Sequence, residues 1–159
     1  MVSWTDTLGM YQRAVCLGWP GEAYFKFMYS LLKLHPALFR WGLRFYAADL
    51  NALYSNPDLS DAIERTFPAF QHLNLNAILP YFKFMPQIDI TPQLERIRAK
   101  TLVITGDCDP IVPPSQSDLI AKQVKGAELA VIHGAGHLPF TERPVEYNHC
   151  LSKWLKQTN

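Results

Sequence analysis

The chain has 159 residues, of which 48% are hydrophobic and 18% charged, and its net charge is +1. That balance belongs to one folded domain with a real core and excludes a disordered segment. The charges are mixed along the chain with no basic run, which argues against nucleic acid as the main partner.

The chain divides near Gln87. All of its aromatic side chains except Phe140, Tyr147 and Trp154 lie before that point, and this first part reads as helical. Residues 21–34 place Phe25, Met28, Leu31 and Leu32 on one apolar face of a helix. Pro36 suits the first turn of a second helix, expected to run unbroken over 36–55 and to end at Asn56-Pro57. Ser60 is the expected N-cap of a third helix, with Ile63 and Phe67 on one side. Pro68 is expected to break that helix, and a fourth, over 69–84, is expected to be interrupted near Pro80. No internal repeat or low-complexity segment is present.

After Gln87 the pattern alternates strand and helix. A short helical turn, QLERI, follows Ile90-Thr91-Pro92. Residues 101–105 are continuous and β-branched, as in a strand buried on both faces. A helix is expected over 115–124, with Ser115 and Asp118 close to a capping box and Gly126 past its end. A second strand is expected over 128–133. Pro144 opens a last helix with an apolar stripe of Tyr147, Leu151, Trp154 and Leu155. A strand-helix-strand-helix run of this length is a parallel α/β unit.

Cys16, Cys108 and Cys150 are widely spaced and contain no C-x-x-C, which points to reduced thiols in a cytoplasmic setting. No His/Cys cluster has metal-ligand spacing, and nothing implies a cofactor. The sequence MVSW has neither a basic n-region nor an apolar h-region. The longest apolar stretch, residues 23–34, is broken by Lys26 and Lys33, so no membrane partner is expected.

Two turns carry the chemistry. In TLVITGDCDPIVP, Asp109 sits just past the carboxyl end of a parallel strand, where open α/β sheets bind ligands. Gly106 lets the chain turn there without a Cβ clash. An acid held this way orients an imidazole and stabilises its charged form. In IHGAGHLPFTERP, His137 follows the second strand in a loop that Gly134 and Gly136 make possible. Asp107 reads as a solvated acid, and His133, at the strand end, as non-catalytic.

GDCDPIVPPSQSDLIAKQVKGAELAVIHGAGHLPFTERPVEYNHCLSKWL closely resembles the C-terminal end of α/β-hydrolase-fold proteins, and the resemblance runs continuously from about Ile90 to Leu155. Strand, acid turn, helix, strand, histidine turn and final helix come in the family's order. The resemblance implies an α/β fold of which this chain is the C-terminal part. Residues 1–87 would be the end of a core strand plus a helical cap, and residues 88–159 the part of the core carrying the acid and the histidine. It further implies that Asp109 is the triad acid and His137 the triad base. The substrate class implied for the intact enzyme is a small, mainly apolar ester, lactone or related acyl compound. Esterase, lactonase, C–C bond hydrolase and cofactor-free haloperoxidase share this layout.

The family's nucleophile stands in G-x-S-x-G at a strand-to-helix elbow, and none of the eight glycines of this chain builds that motif. The oxyanion-hole HG segment is absent as well. A thiolate at Cys108 would be disfavoured by Asp107 and Asp109. Ser115 and Ser117 read as helix-capping residues, and Ser3 has no elbow around it. MVSW resembles the tail of the family's sixth strand, so the nucleophile half is expected to lie outside these residues. Three readings follow: a piece of a serine-type hydrolase, one half of a split hydrolase, or a non-catalytic binding module. In each, the chain alone is expected to be inactive and either marginally stable or self-associating, because a short sheet leaves an apolar edge open.

Overall fold

The computed structural model describes residues 15, 17–84 and 87–158. The expected strand tail at residues 1–4 lies outside them, as do Ser3, Met10, Cys16 and Met85. Helix α1, Trp19–Leu32, starts after Gly18 with Pro20 in its first turn and buries Phe25. Its end is tied to the loop near residue 72. Lys33 Nζ donates to the Leu73 carbonyl at 2.7 Å, and Gln71 Nε2 donates to the Lys33 carbonyl at 3.2 Å.

The helix expected over 36–55 is not continuous. It consists of α2, Pro36–Gly42, a 3₁₀ turn, Leu43–Phe45, and a separate α3, Leu50–Ser55. The bend lies at Tyr46–Asp49. There the amides of Ala48 and Asp49 donate to the carboxylate of Glu142, at 2.8 Å each. Asp49 then caps α3 by accepting from the Ala52 amide at 2.9 Å. A distant carboxylate thus takes amides that an unbroken helix would have used itself.

Helix α4, Asp58–Gln71, begins before Ser60, so Ser60 is not its N-cap. Asn56 Oδ1 instead accepts from the Asp58 amide, and Ser60 Oγ accepts from Arg40. Neither proline breaks a helix. α4 runs through Pro68, and α5, Leu75–Phe84, runs through Pro80. A proline within a helix deprives the carbonyl four residues earlier of its partner. Here Glu64 and Asn76, the residues concerned, are exposed, as are both prolines, so each proline lies on the solvent side of its helix. The real break is at His72–Asn74, where Asn74 Oδ1 accepts from the amides of Asn76 and Ala77.

Two apolar clusters hold this helical part. One is Leu53, Leu59, Ile63 and Phe67, with Phe39, Leu43, Leu50, Phe70 and Leu138 packed against it; the other joins Val15, Phe25 and Leu79. Leu138 belongs to the histidine loop, so the first cluster anchors that loop to the helices.

After α6, Thr91–Leu94, the chain enters β1, Leu102–Gly106, crosses by α7, Pro114–Gln123, and returns in β2, Glu128–Ile132. The strands pair in parallel, Leu102 opposite Glu128 and Gly106 opposite Ile132. Helices α8, Pro139–Glu142, and α9, Pro144–Thr158, complete the order. β1 is not buried on both faces: Leu102, Val103 and Ile104 are half-buried, and Leu129 and Val131 of β2 are exposed. Among the described residues the sheet has two strands, so each strand keeps one edge without a strand neighbour. Ser115 does not cap α7, whose N-cap is Pro113 with no side-chain hydrogen bond.

Candidate active site

Asp109 leaves the end of β1 in a turn that its own side chain closes. Its Oδ1 accepts from the amides of Ile111 at 2.7 Å and Val112 at 2.9 Å. Its Oδ2 is 2.8 Å from Nδ1 of His137. The Asp109 side chain is 7% exposed and that of His137 37%. Burial alone would push the carboxyl pKa up, but the hydrogen bonds from His137, Val112 and Ile111 outweigh it and hold it below the ordinary aspartate value. An ionised Asp109 accepts from Nδ1–H of a neutral imidazole and leaves Nε2 with the lone pair.

The histidine loop is set by close backbone approaches. A Cβ on Gly106 would lie 2.2 Å from the Ala135 carbonyl oxygen, so the end of β1 and this loop touch main chain to main chain. The Cys108 amide donates to the same carbonyl at 3.0 Å. Gly134 turns the chain with φ of 68°. Gly136 fills the space between Tyr46 and Ala48, and the His137 amide donates to the Tyr46 carbonyl at 2.7 Å. The Tyr46 ring flanks the imidazole at 6.0 Å between centroids.

A second Asp–His pair lies beside the first. Asp107 is not simply solvated: its Oδ2 is 2.9 Å from His133 Nδ1, and its Oδ1 accepts from the Gly134 amide at 2.7 Å. The hydrogen bonds from His133 and Gly134 hold its pKa below the ordinary value. The His133 side chain is 86% exposed, so this pair staples the turns after β1 and β2 at the surface. Cys108 is exposed and its thiol pKa is raised, first by its hydrogen bond to Asp107 and then by that residue's charge. Such a thiol is a poor nucleophile.

Asp109 and His137 open onto a groove of about 530 Å³ whose walls include Leu102 and Ile104 of β1 and Tyr147, Leu151 and Trp154 of α9. Ser117, expected to cap α7, is buried and lines the same groove. Glu142 and Tyr46 are the site residues that sequence reasoning missed. Glu142 is 3% exposed and its carboxylate accepts from Gly136 as well as from Ala48 and Asp49. The one signal for it in the sequence was a lone acid five residues beyond His137. Among the described residues no group of His, Cys, Asp and Glu could hold a metal ion, and no helix is long and apolar enough to cross a membrane.

Comparison with known proteins agrees with this architecture. A family model described as alpha/beta hydrolase fold matches residues 13–144. The proline iminopeptidase PfmaB of Pestalotiopsis fici is 36% identical over 99 residues, covering 59% of this chain and 34% of that protein. The 3-oxoadipate enol-lactonase 2 of Acinetobacter baylyi is 29% identical over 75 residues, 47% of this chain and 28% of that protein. The chain spans about a third of the length of these curated relatives. Among solved structures, MGS-M2, an alpha/beta hydrolase enzyme from a Medee basin deep-sea metagenome library, superposes with a TM-score of 0.63 at 18% identity, covering 99% of this chain and 55% of that one. The esterase of Exiguobacterium antarcticum gives 0.61 at 13% identity, covering 95% and 48%. These structural likenesses are likenesses of fold.

Proposed function

We propose, since this chain belongs to the alpha/beta hydrolase fold family, that Asp109 and His137 are the acid and the base of a serine-type hydrolase acting on small, mainly apolar ester or lactone-like substrates. The helical residues before Gln87 serve as its cap. The observation that carries this reading is the buried Asp109 carboxylate 2.8 Å from Nδ1 of a His137 ring that opens onto the groove. The names of the relatives support the class: an iminopeptidase and an enol-lactonase both hydrolyse acyl bonds.

The chemistry follows from the tautomer. With Nδ1–H donating to Asp109, Nε2 accepts the proton of a serine hydroxyl as its oxygen attacks the substrate carbonyl. The acyl–oxygen bond to the leaving group then breaks, and Nε2–H delivers the proton to that oxygen. Water repeats the sequence on the acyl-enzyme. Asp109 stabilises the imidazolium formed each time without itself taking the proton. G-x-S-x-G does not occur in these 159 residues, so the nucleophile comes from a further part of the polypeptide or from a second chain.

The test begins with the DNA immediately upstream of the Met1 codon. If that frame encodes G-x-S-x-G, the longer product is expressed; if not, partners bearing that motif are sought by co-purification. The resulting enzyme is assayed on p-nitrophenyl acetate and butyrate beside its His137→Gln variant. Turnover that collapses in the variant supports the reading, and turnover that His137→Gln leaves intact overturns it.

A further inference from the structure

Glu142 is a buried acid whose hydrogen-bond partners are backbone amides. Oε2 accepts from Ala48 and Asp49 at 2.8 Å each, and Oε1 from Gly136 at 2.9 Å. A carboxylate with a 3% exposed residue around it is costly to bury unless such donors replace its water. The donors come from two segments far apart in sequence. Ala48 and Asp49 belong to the bend between α2 and α3, and Gly136 immediately precedes His137. The same segments meet again where the His137 amide donates to the Tyr46 carbonyl at 2.7 Å. Arg143, next to Glu142, adds a bond to Asp49 at 2.8 Å, and the residue after His137, Leu138, packs on the Leu53 cluster.

We propose that Glu142 is a positioning residue for His137. Its carboxylate clamps the histidine loop to the 46–49 bend and so sets the imidazole against Asp109. A carboxylate is required because both of its oxygens accept. A glutamine presents one oxygen and one NH₂, and its NH₂ would face either the Gly136 amide or the Ala48 and Asp49 amides, donor against donor. The clamp also explains why the bend interrupts a sequence that is otherwise continuous helix. The catalytic meaning of the clamp rests on His137 being the base; its existence does not.

The test is made on the 159-residue chain, labelled with ¹⁵N, and its Glu142→Gln variant. Long-range ¹H–¹⁵N correlation of the neutral imidazoles reads the tautomer of each ring. His133, held by Asp107, serves as the internal reference. The expected result is a His137 ring fixed as Nδ1–H in the parent and relaxed to a tautomer mixture in Glu142→Gln, with His133 unchanged in both. A folded variant whose His137 tautomer is unaltered, or in which both rings change alike, overturns the proposal. Should the variant fail to fold, amide hydrogen exchange of the parent decides. Ala48, Asp49, Gly136 and His137 exchanging as one slow group supports the clamp, and independent exchange of the two segments overturns it. None of these readouts involves turnover. A clamp that is present in an enzyme indifferent to His137→Gln would sink the catalytic reading alone.

Discussion

The backbone amide of His137 donates to the carbonyl oxygen of Tyr46 at 2.7 Å, so the loop that carries the imidazole is pinned to the bend between two helices. Gly136 makes that approach possible. A Cβ there would stand 2.5 Å from the Ala48 nitrogen and 2.7 Å from the Tyr46 oxygen, both main-chain atoms that cannot swing aside. Gly136→Ala is therefore expected to cost about 3 kcal/mol, the upper end for overpacking a tight site. Gly126→Ala is the control. Its Cβ meets nothing within 4 Å, and only its φ of 77° is unfavourable, a cost of about 1 kcal/mol. Urea unfolding of both variants checks the order, and equal costs would count against the contact.

Asp109 links stability to acid pH. Burial pushes its carboxyl pKa up, but the hydrogen bonds from His137, Val112 and Ile111 outweigh it and hold the folded-state pKa below the ordinary aspartate value. Below its unfolded pKa the unfolded chain binds the proton more readily than the folded one. The contribution is thus fully present above about pH 4 and is lost as pH falls through the folded value. In Asp109→Asn that acid-labile component disappears. The difference in urea midpoint between parent and variant should therefore shrink as pH drops from 5 to 2. A difference that stays constant over that range would mean Asp109 is not held ionised.

On the function proposed above, Asp109→Asn in the enzyme complete with its nucleophile should lower kcat by about 10⁴ while KM changes little. An amide cannot stabilise the imidazolium, and its NH₂ favours the wrong tautomer of the ring. Steady-state kinetics on p-nitrophenyl butyrate reads this directly. A rise in KM with kcat unchanged would assign Asp109 to substrate binding instead.

What the sequence revealed and what it hid follow one physical division. Asp109, His137 and the glycines near them were legible because their constraints are local. A strand end, a turn and a Cβ-free approach leave their residue types in order along the chain. The bend at Tyr46–Asp49 was not legible, because its cause is the carboxylate of Glu142, far away in sequence. Pro68 and Pro80 read as breakers by local rule, yet both helices continue, with the prolines on the exposed side and Phe67 and Leu79 holding the other face in the core. Ser117 read as a cap and proved a groove residue, since the chain enters α7 from Pro113 without side-chain capping. The pairing of Asp107 with His133 needed the two strands in register before it could be seen.

The two-stranded sheet and its groove bear on how the chain behaves by itself. Leu102, Ile104, Leu151 and Trp154 form apolar walls around an open space of about 530 Å³, and each strand has an edge with no strand neighbour among the described residues. Open edges beside exposed apolar surface promote pairing between copies. The purified chain is expected to sediment as concentration-dependent oligomers, and Leu151→Glu, which places a charge on the groove wall, to shift it towards monomer. A monomer at all concentrations up to about 1 mM, above the dissociation constants of specific complexes, would show that these edges do not pair between copies.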